Sequence, residues 1–186
     1  MRVLAALILI VGLALPGFAQ NYDRHFVDYT VLHFGSLVSP KWIKATAMAE
    51  SNLKADARSG VGASGMLQFM SSTWSDVAPE PWKTLGPLDP EAAIFVGARY
   101  MRQIWNRFPD VATVQQRKGF VNASYNSGMG WIFKARNACK TIHGCDASIW
   151  DAPNVEKYLL TAPRFQLETR SYVQRIRRLE LNVFLE

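Results

Sequence analysis

The chain has 186 residues, of which 49% are hydrophobic. This is enough for one compact domain with an apolar core, and because a second full domain would be cramped, we expect one domain. The formal net charge of +6 favours a polyanionic partner, but nucleic acid, anionic lipid and carboxylate-rich cell wall all meet that requirement.

The N-terminus has the pattern of an export signal. A positive start at Arg2 precedes the apolar residues 3–15, Pro16 ends the run, and small residues follow. The run is shorter than the about 20 residues of a comfortable membrane span, although an uncleaved N-terminal anchor is the alternative. We therefore expect a signal peptide at residues 1–19, one mature domain at residues 20–186, and a periplasmic or secreted protein.

Helix-start signals recur along the mature chain. Ser39 before Pro40, and Asp89 before Pro90, each place a capping side chain ahead of a first-turn proline. Apolar residues then repeat at helical spacing on one face: Ile43 and Ala47, and later Ile94, Ala98, Met101 and Trp105. Similar patterns predict helices over about residues 114–125, 130–137 and 168–179.

Two segments rich in glycine, serine and proline, residues 59–65 and 79–87, predict loops. Gly60, Gly62 and Gly65 match the dinucleotide-binding pattern G-x-G-x-x-G, but that pattern should follow a strand, and here it follows a helix. These glycines instead favour a close approach between backbone and ligand. Because no segment alternates as a strand, the predicted fold is mainly α, with at most a minor β element.

Glu50 is the first candidate catalytic residue. It lies on the apolar face of a predicted helix, just before the glycine-rich loop. Partial desolvation of a carboxyl there would raise its pKa, as a general acid requires near neutral pH. Position in the helix alone favours the alternative of a solvent-facing glutamate at a helix end.

Cys139 and Cys145 are the two cysteines of the chain. In an exported protein they predict a disulfide that closes a small loop. A zinc site with His143 as a third ligand is the weaker alternative, since a fourth ligand and a C-x-x-C pattern are lacking. We expect no metal.

Residues 49–70 resemble the signature of the soluble lytic transglycosylase (SLT) family, which pairs Glu-Ser with a later Gly-Leu-Met-Gln. Glu50 and Ser51 supply the first part, and residues 65–68 supply the second with its two apolar residues exchanged. The similarity extends over roughly residues 38–176.

Two further motifs follow in the family's order. Residues 124–128 resemble Ala-Tyr-Asn-Ala-Gly, with Ser124 and Ser127 in place of the alanines, and residues 168–172 resemble Glu-Thr followed by Tyr. Other departures are Leu53 for Phe and Ser71 for Pro. None removes an ionisable group, so the departures bear on substrate preference more than on the type of reaction.

The resemblance implies a single goose-type, lysozyme-like domain that cuts peptidoglycan. Glu50 would protonate the oxygen leaving C1 of N-acetylmuramic acid, and the substrate's 2-acetamido group would replace a protein nucleophile. The ionised Glu50 would then remove a proton from the C6 hydroxyl, which closes a 1,6-anhydro ring. The resemblance implies no cofactor.

The same resemblance implies a set of substrate-binding residues: Ser51, Gln68, Met70, Ser124, Tyr125, Asn126, Glu168 and Tyr172. Tyr125 should position the acetamido group or hydrogen-bond near Glu50, and the asparagine beside it should shape the turn. The aromatic residues Phe69, Trp74 and Trp131 could stack on sugar faces, but packing in the core is the favoured interpretation.

Two alternatives stay open. A hydrolytic muramidase on the same fold would need a second carboxylate to activate water, about 6.5–9.5 Å from the acid if inverting, and Asp56 and Glu168 are the candidates. Glu168 could equally interact with a helix dipole. A non-catalytic wall-binding or secretion-assembly factor is the other alternative. The expected partners are peptidoglycan strands and, as a candidate, a cell-envelope secretion or conjugation machine, with no nucleic acid. The protein is expected to be a monomer.

Overall fold

The computed structural model describes residues 21–141, 145–150 and 163–185, and the segment predicted as an export signal lies outside them. Its helices are α1 Asp23–Phe34, α2 Pro40–Ser51, α3 Ser71–Val77, α4 Trp82–Leu85, α5 Pro90–Trp105, α6 Val114–Ser127, α7 Met129–Lys140 and α8 Pro163–Asn182. In these ranges β pairing is limited to isolated bridges from Ser64 to Arg58 and Phe69. The prediction of a mainly α domain is confirmed.

Both helix-start signals are confirmed. The Ser39 hydroxyl accepts a hydrogen bond from the backbone N–H of Lys41 at the start of α2. The Asp89 carboxylate accepts one of 2.8 Å from the backbone N–H of Ala92 at the start of α5. Each cap satisfies a donor that the first turn of a helix leaves without a partner.

The prediction of an uninterrupted loop at residues 79–87 is wrong, because this segment contains the single-turn helix α4. The Trp82 ring of α4 stacks on Phe95 of α5 at 4.6 Å between centroids, and Tyr29 of α1 packs edge-on against both rings. Burial against neighbouring helices thus holds a turn that a proline- and glycine-rich sequence does not favour by itself.

Helices α2 and α6 occupy the middle of the fold. Helix α2 packs against α1, α5 and α8, while α6 packs against α5, α7 and α8. The indole of Trp42 in α2 is fully buried, and its Nε1 donates a 2.9 Å hydrogen bond to Oδ1 of Asn122 in α6. This core fixes the C-terminal ends of α2 and α6, which carry Glu50 and Tyr125.

The predicted disulfide is confirmed. Cys139, near the end of α7, is bonded to Cys145, with 5.4 Å between their Cα atoms. Downstream, Trp150 is fully buried, and its ring packs edge-on against Phe120 of α6. The disulfide therefore joins α7 to a segment that covers α6. No helix in the described residues is both long enough and apolar enough to span a bilayer.

Candidate active site

Glu50 lies in the last turn of α2. The helix ends because Asn52, at its C-cap, adopts a left-handed conformation with φ of 56°. Burial disfavours the charged carboxylate and raises the pKa of Glu50 from 4.5 to about 7, although a hydrogen bond from Tyr172 and the charge of Arg175 act in the opposite direction. Desolvation thus dominates, and a substantial fraction of the carboxyl is protonated near neutral pH.

Tyr172 of α8 touches this carboxyl directly. Its hydroxyl donates a 2.5 Å hydrogen bond to Oε1 of Glu50. Burial and the nearby charge of Glu50 raise the pKa of both Tyr172 and Tyr125 well above the ordinary value of 10. Both hydroxyls therefore remain donors at any pH at which the protein would work. Tyr172, predicted to bind substrate, is placed against the candidate acid.

The loop between α2 and α3 is held by two residues predicted to bind substrate. The Ser51 hydroxyl donates a 2.8 Å hydrogen bond to the carbonyl oxygen of Met66. The Gln68 carboxamide donates to the carbonyl oxygens of Gly65 at 2.8 Å and Ala57 at 3.3 Å. These bonds close the glycine-rich loop upon itself and place Gln68 at the edge of a cavity.

The same loop is fixed from outside at two points. Gly65 has φ of +81°, and a Cβ atom there would lie 1.7 Å from the carbonyl oxygen of Pro87, so only glycine fits. On the other side the Tyr125 hydroxyl donates a 2.8 Å hydrogen bond to the carbonyl oxygen of Leu67. Tyr125 of α6 is thereby joined to the loop that follows Glu50.

A cavity of about 280 Å³ opens between this loop, α5 and the C-terminal end of α6. Its lining residues are Gln68, Phe69, Met70, Thr73, Tyr100, Ser124, Tyr125, Asn126, Ser127 and Gly128. Glu50 is not among them, but Tyr125, which does line the cavity, is close enough to Glu50 for the charge of that carboxyl to raise the pKa of the tyrosine. The mixture of aromatic faces, amides and hydroxyls suits a ligand with both apolar faces and many hydroxyl groups.

Several residues of this region were not among the predicted site residues, although Thr169 belongs to the motif at residues 168–172. The Thr169 hydroxyl of α8 donates a 2.9 Å hydrogen bond to Oδ1 of Asn126, which joins the two later motifs. The Tyr100 ring of α5 lies 5.6 Å from that of Tyr125. A tyrosine beside the apolar stripe of α5 was the available signal for Tyr100, whereas no motif marked Arg175.

The remaining predicted residues differ in their position relative to the cavity. Met70 lines the cavity and is 42% exposed. Ser124 is fully buried, and its hydroxyl has no hydrogen-bond partner within the described residues. Glu168 and Asp56 are both exposed, and neither lines the cavity.

Two of the three singled-out aromatic residues pack in the core. Phe69 and Trp74 are buried, as favoured, and their rings meet edge-to-face at 5.2 Å. The same interpretation is wrong for Trp131, which is 42% exposed on α7. The buried face of α7 consists of other residues: Ile132, Ala135, Arg136 and Cys139. The helical period therefore points Trp131 away from the core.

Comparisons with known proteins show which family this chain resembles. Residues 35–142 match the model of the transglycosylase SLT domain. The chain is 33% identical over 150 residues to the membrane-bound lytic murein transglycosylase F of Shewanella loihica, covering 81% of this chain and 29% of the relative. It is 32% identical to the protein of the same name from Vibrio campbellii, covering 73% and 26%.

Solved structures show the same fold. The lytic transglycosylase Slt of Pseudomonas aeruginosa, solved as an inactive mutant, matches with a TM-score of 0.64 at 24% identity, covering 87% of this chain and 23% of that one. The 70 kDa soluble lytic transglycosylase of Escherichia coli matches with a TM-score of 0.57 at 25% identity, covering 83% and 23%. The chain thus spans less than a third of the length of these relatives.

Proposed function

This chain belongs to the family of transglycosylase SLT domains, and we propose that it is a peptidoglycan lytic transglycosylase. It would cleave the β-1,4 bond between N-acetylmuramic acid and N-acetylglucosamine and leave 1,6-anhydromuramyl ends. The observation that carries the proposal is the half-buried carboxyl of Glu50, with a pKa raised to about 7, beside a cavity lined by aromatic and amide side chains. A carboxylic acid in that state can give up a proton and later take one back.

In the first step Glu50 acts as a general acid. Its proton passes to the glycosidic oxygen as the bond from that oxygen to C1 breaks, and the departing sugar leaves with a free hydroxyl. The carbonyl oxygen of the substrate's own acetamido group then bonds to C1, so no second protein carboxylate is required. The developing charge on Glu50 is stabilised by the Tyr172 hydroxyl, which already donates to Oε1.

In the second step the ionised Glu50 acts as a general base. It removes the proton of the C6 hydroxyl, O6 bonds to C1, and the bond from the acetamido oxygen to C1 breaks. The carboxyl is protonated again, so one residue completes the cycle. A pKa near neutral pH suits both steps, since the protonated and ionised forms of Glu50 then differ little in free energy.

The surrounding residues divide into two roles in this proposal. Gln68, Met70, Tyr125 and Asn126 border the cavity, where they would contact the sugar rings, whereas Ser124 is buried behind the cavity wall and would support it. Ser51 would act indirectly by holding the loop through Met66, and Tyr172 by orienting the acid. Glu168 would meet the strand only from the exposed surface of α8.

The hydrolytic alternative lacks support from the placement of carboxylates. Asp56 and Glu168 are both exposed, and the cavity-lining residues in the described part of the chain include no carboxylate that could activate water. Digestion of purified cell wall followed by mass spectrometry separates the two reactions, because anhydromuramyl ends are one water lighter than reducing ends. Reducing ends alone would refute transglycosylation.

A Glu50→Gln variant completes the test. Glutamine keeps the shape of the side chain and can accept the hydrogen bond from Tyr172, but it has no proton to transfer. We expect loss of wall cleavage with retained binding to the wall. Full activity of this variant would assign the chemistry to another acid, and an inactive wild-type protein that still binds wall would indicate a binding factor instead.

The site of action follows from the substrate. Residues 1–19 have the pattern of an export signal, and the murein wall lies outside the cytoplasm, so we propose that the enzyme works in the periplasm. Fractionation with and without residues 1–19 tests this assignment. Retention of the full-length protein in the cytoplasmic fraction would contradict it.

A further inference from the structure

We propose that the surface from Gly128 to Lys134, at the start of α7, is an outer subsite for a glycan strand, in which a pyranose ring stacks on Trp131. This inference rests on the proposed function and extends it to a site outside the cavity. Trp131 is 42% exposed, although it belongs to a residue type that usually hides most of its surface. In the proposed complex, a sugar ring of the bound strand would cover this exposed indole.

The position of Trp131 follows from the chain that leads to it. Gly128 lines the cavity and ends α6 with φ of +87°. Trp131 lies three residues further on, in the first turn of α7, and a helix rises only about 1.5 Å per residue. The backbone of Trp131 is therefore within one helical turn of Gly128 at the cavity edge.

Two of the three residues that lead from the cavity edge to Trp131 are glycines, and the third, Met129, packs partly against the core. Gly128 and Gly130 are both exposed, and a Cβ atom built on either would meet no heavy atom within 4 Å. A strand leaving the cavity could thus lie close to the backbone here before it reaches the indole. The apolar face of a pyranose ring complements such an exposed aromatic ring.

A cation adjoins the same ring. Nζ of Lys134, one helical turn beyond Trp131, lies 4.6 Å from its ring centroid, and Lys134 is exposed. This contact restricts the orientation of the indole and places a positive charge over one face of the ring, so a pyranose would stack on the opposite face. Muramic acid residues and stem peptides carry carboxylates, so Lys134 would distinguish such strands from an uncharged chitin oligosaccharide.

The first experiment measures affinity without turnover. In a Glu50→Gln background, Trp131→Ala is titrated with a chitin disaccharide and a chitin hexasaccharide. We expect about tenfold weaker binding of the hexasaccharide, equivalent to roughly 1.4 kcal/mol, and unchanged binding of the disaccharide. Trp131→Phe, which retains a ring, should recover most of the loss. An equal loss for both ligands, or none, would overturn the proposal.

Phe184 offers a matched control. It too is an exposed aromatic residue beside a lysine, with Nζ of Lys41 lying 5.8 Å from its ring centroid. Lys41 is in the first turn of α2, about 13 Å along the helix from Glu50. Phe184→Ala should leave the affinity for the hexasaccharide unchanged. A loss like that of Trp131→Ala would show a general effect of removing surface aromatic rings.

The second experiment tests the charge. Lys134→Gln should weaken binding of glycan strands that carry stem peptides several-fold more than binding of the chitin hexasaccharide, and added salt should reduce that difference. Equal effects on both ligands would remove Lys134 from the subsite. These affinities do not depend on product chemistry, so an absence of anhydromuramyl ends would refute the proposed function without deciding the subsite.

Discussion

The Tyr172 hydroxyl donates a 2.5 Å hydrogen bond to Oε1 of Glu50, across 122 residues of sequence. This bond joins the C-terminal end of α2 to the middle of α8. It favours the ionised carboxylate, whereas burial favours the neutral acid, and burial is the larger effect. The tyrosine thus limits how far burial raises the pKa of the candidate acid.

Tyr172→Phe should therefore raise the pKa of Glu50 above about 7. Since the first step needs the protonated acid, the alkaline limb of kcat/KM should move to higher pH. The maximal rate should fall because the carboxylate formed in that step loses a donor. A pH profile of wall cleavage measures both effects.

Tyr29→Phe provides the control for this prediction. The Tyr29 hydroxyl donates to a carboxylate as well, that of Glu91, but the pair joins α1 and α5 away from the cavity. This variant should keep the wild-type pH profile. An alkaline limb that stays in place in Tyr172→Phe would show that the bond to Glu50 does not set the pKa.

Glu50→Gln should stabilise the fold at alkaline pH. The pKa of Glu50 is raised from 4.5 to about 7 on folding, so its contribution to stability is fully present below pH 4.5 and is lost as pH rises through 7. The variant should exceed the wild type above pH 8, by at most about 3 kcal/mol, and the difference should shrink toward pH 5. Urea unfolding at both pH values measures it.

Asp56→Asn is the control for that comparison, because Asp56 is an exposed carboxylate outside the cavity. Its stability relative to wild type should change little between the two pH values. If Glu50→Gln showed the same small change, the carboxyl would be solvated, and the argument for a neutral acid at working pH would fail.

The sequence was sufficient to predict the catalytic candidate and most long helices, for physical reasons that the structure makes clear. Capping residues and prolines define where α2 and α5 begin, since they act on neighbouring backbone groups. The single turn at Trp82 could not be predicted, because contacts with Phe95 and Tyr29 stabilise it from other helices. A local sequence pattern therefore predicts only those elements that neighbouring residues in the chain stabilise.

The motifs predicted which residues gather at the site better than they predicted what each one does. Ser51 and Gln68 donate hydrogen bonds to the loop, and Tyr172 donates to Glu50. A motif marks a residue that a family retains. Only distances in the structure can distinguish a residue that stabilises the site from one that contacts the ligand. Trp131 was misassigned for a related reason, since its hydrophobicity suggested the core while the helical period placed it outside.

Gly65→Ala should destabilise the protein and reduce activity. The added Cβ would lie 1.7 Å from the carbonyl oxygen of Pro87, at a φ of +81° that alanine rarely adopts, so the loop must move. Strain and a displaced backbone should lower the free energy of unfolding by more than about 1 kcal/mol. Thermal unfolding and wall cleavage would both report the change.

Gly60→Ala, in the same loop, is the control for Gly65→Ala. A Cβ at Gly60 meets nothing within 4 Å, so this variant should keep the wild-type unfolding temperature within a degree or two. Equal losses in the two variants would mean that the loop needs glycine for flexibility, and the close contact with Pro87 would not explain the sensitivity.

Thr169→Val should weaken substrate binding as well as stability. Thr169 is fully buried, and its hydroxyl donates a 2.9 Å hydrogen bond to Oδ1 of Asn126, which lines the cavity. Valine keeps the shape but leaves that oxygen without its donor, which costs about 1–3 kcal/mol of stability and frees the amide to rotate. The KM for wall fragments should therefore rise.

Thr46→Val is the control. The buried hydroxyl of Thr46 donates a hydrogen bond to the carbonyl oxygen of Trp42 in the same helix, so its removal should lower stability without changing KM. If Thr169→Val and Thr46→Val had the same KM, the bond from Thr169 to Asn126 would have only a structural role.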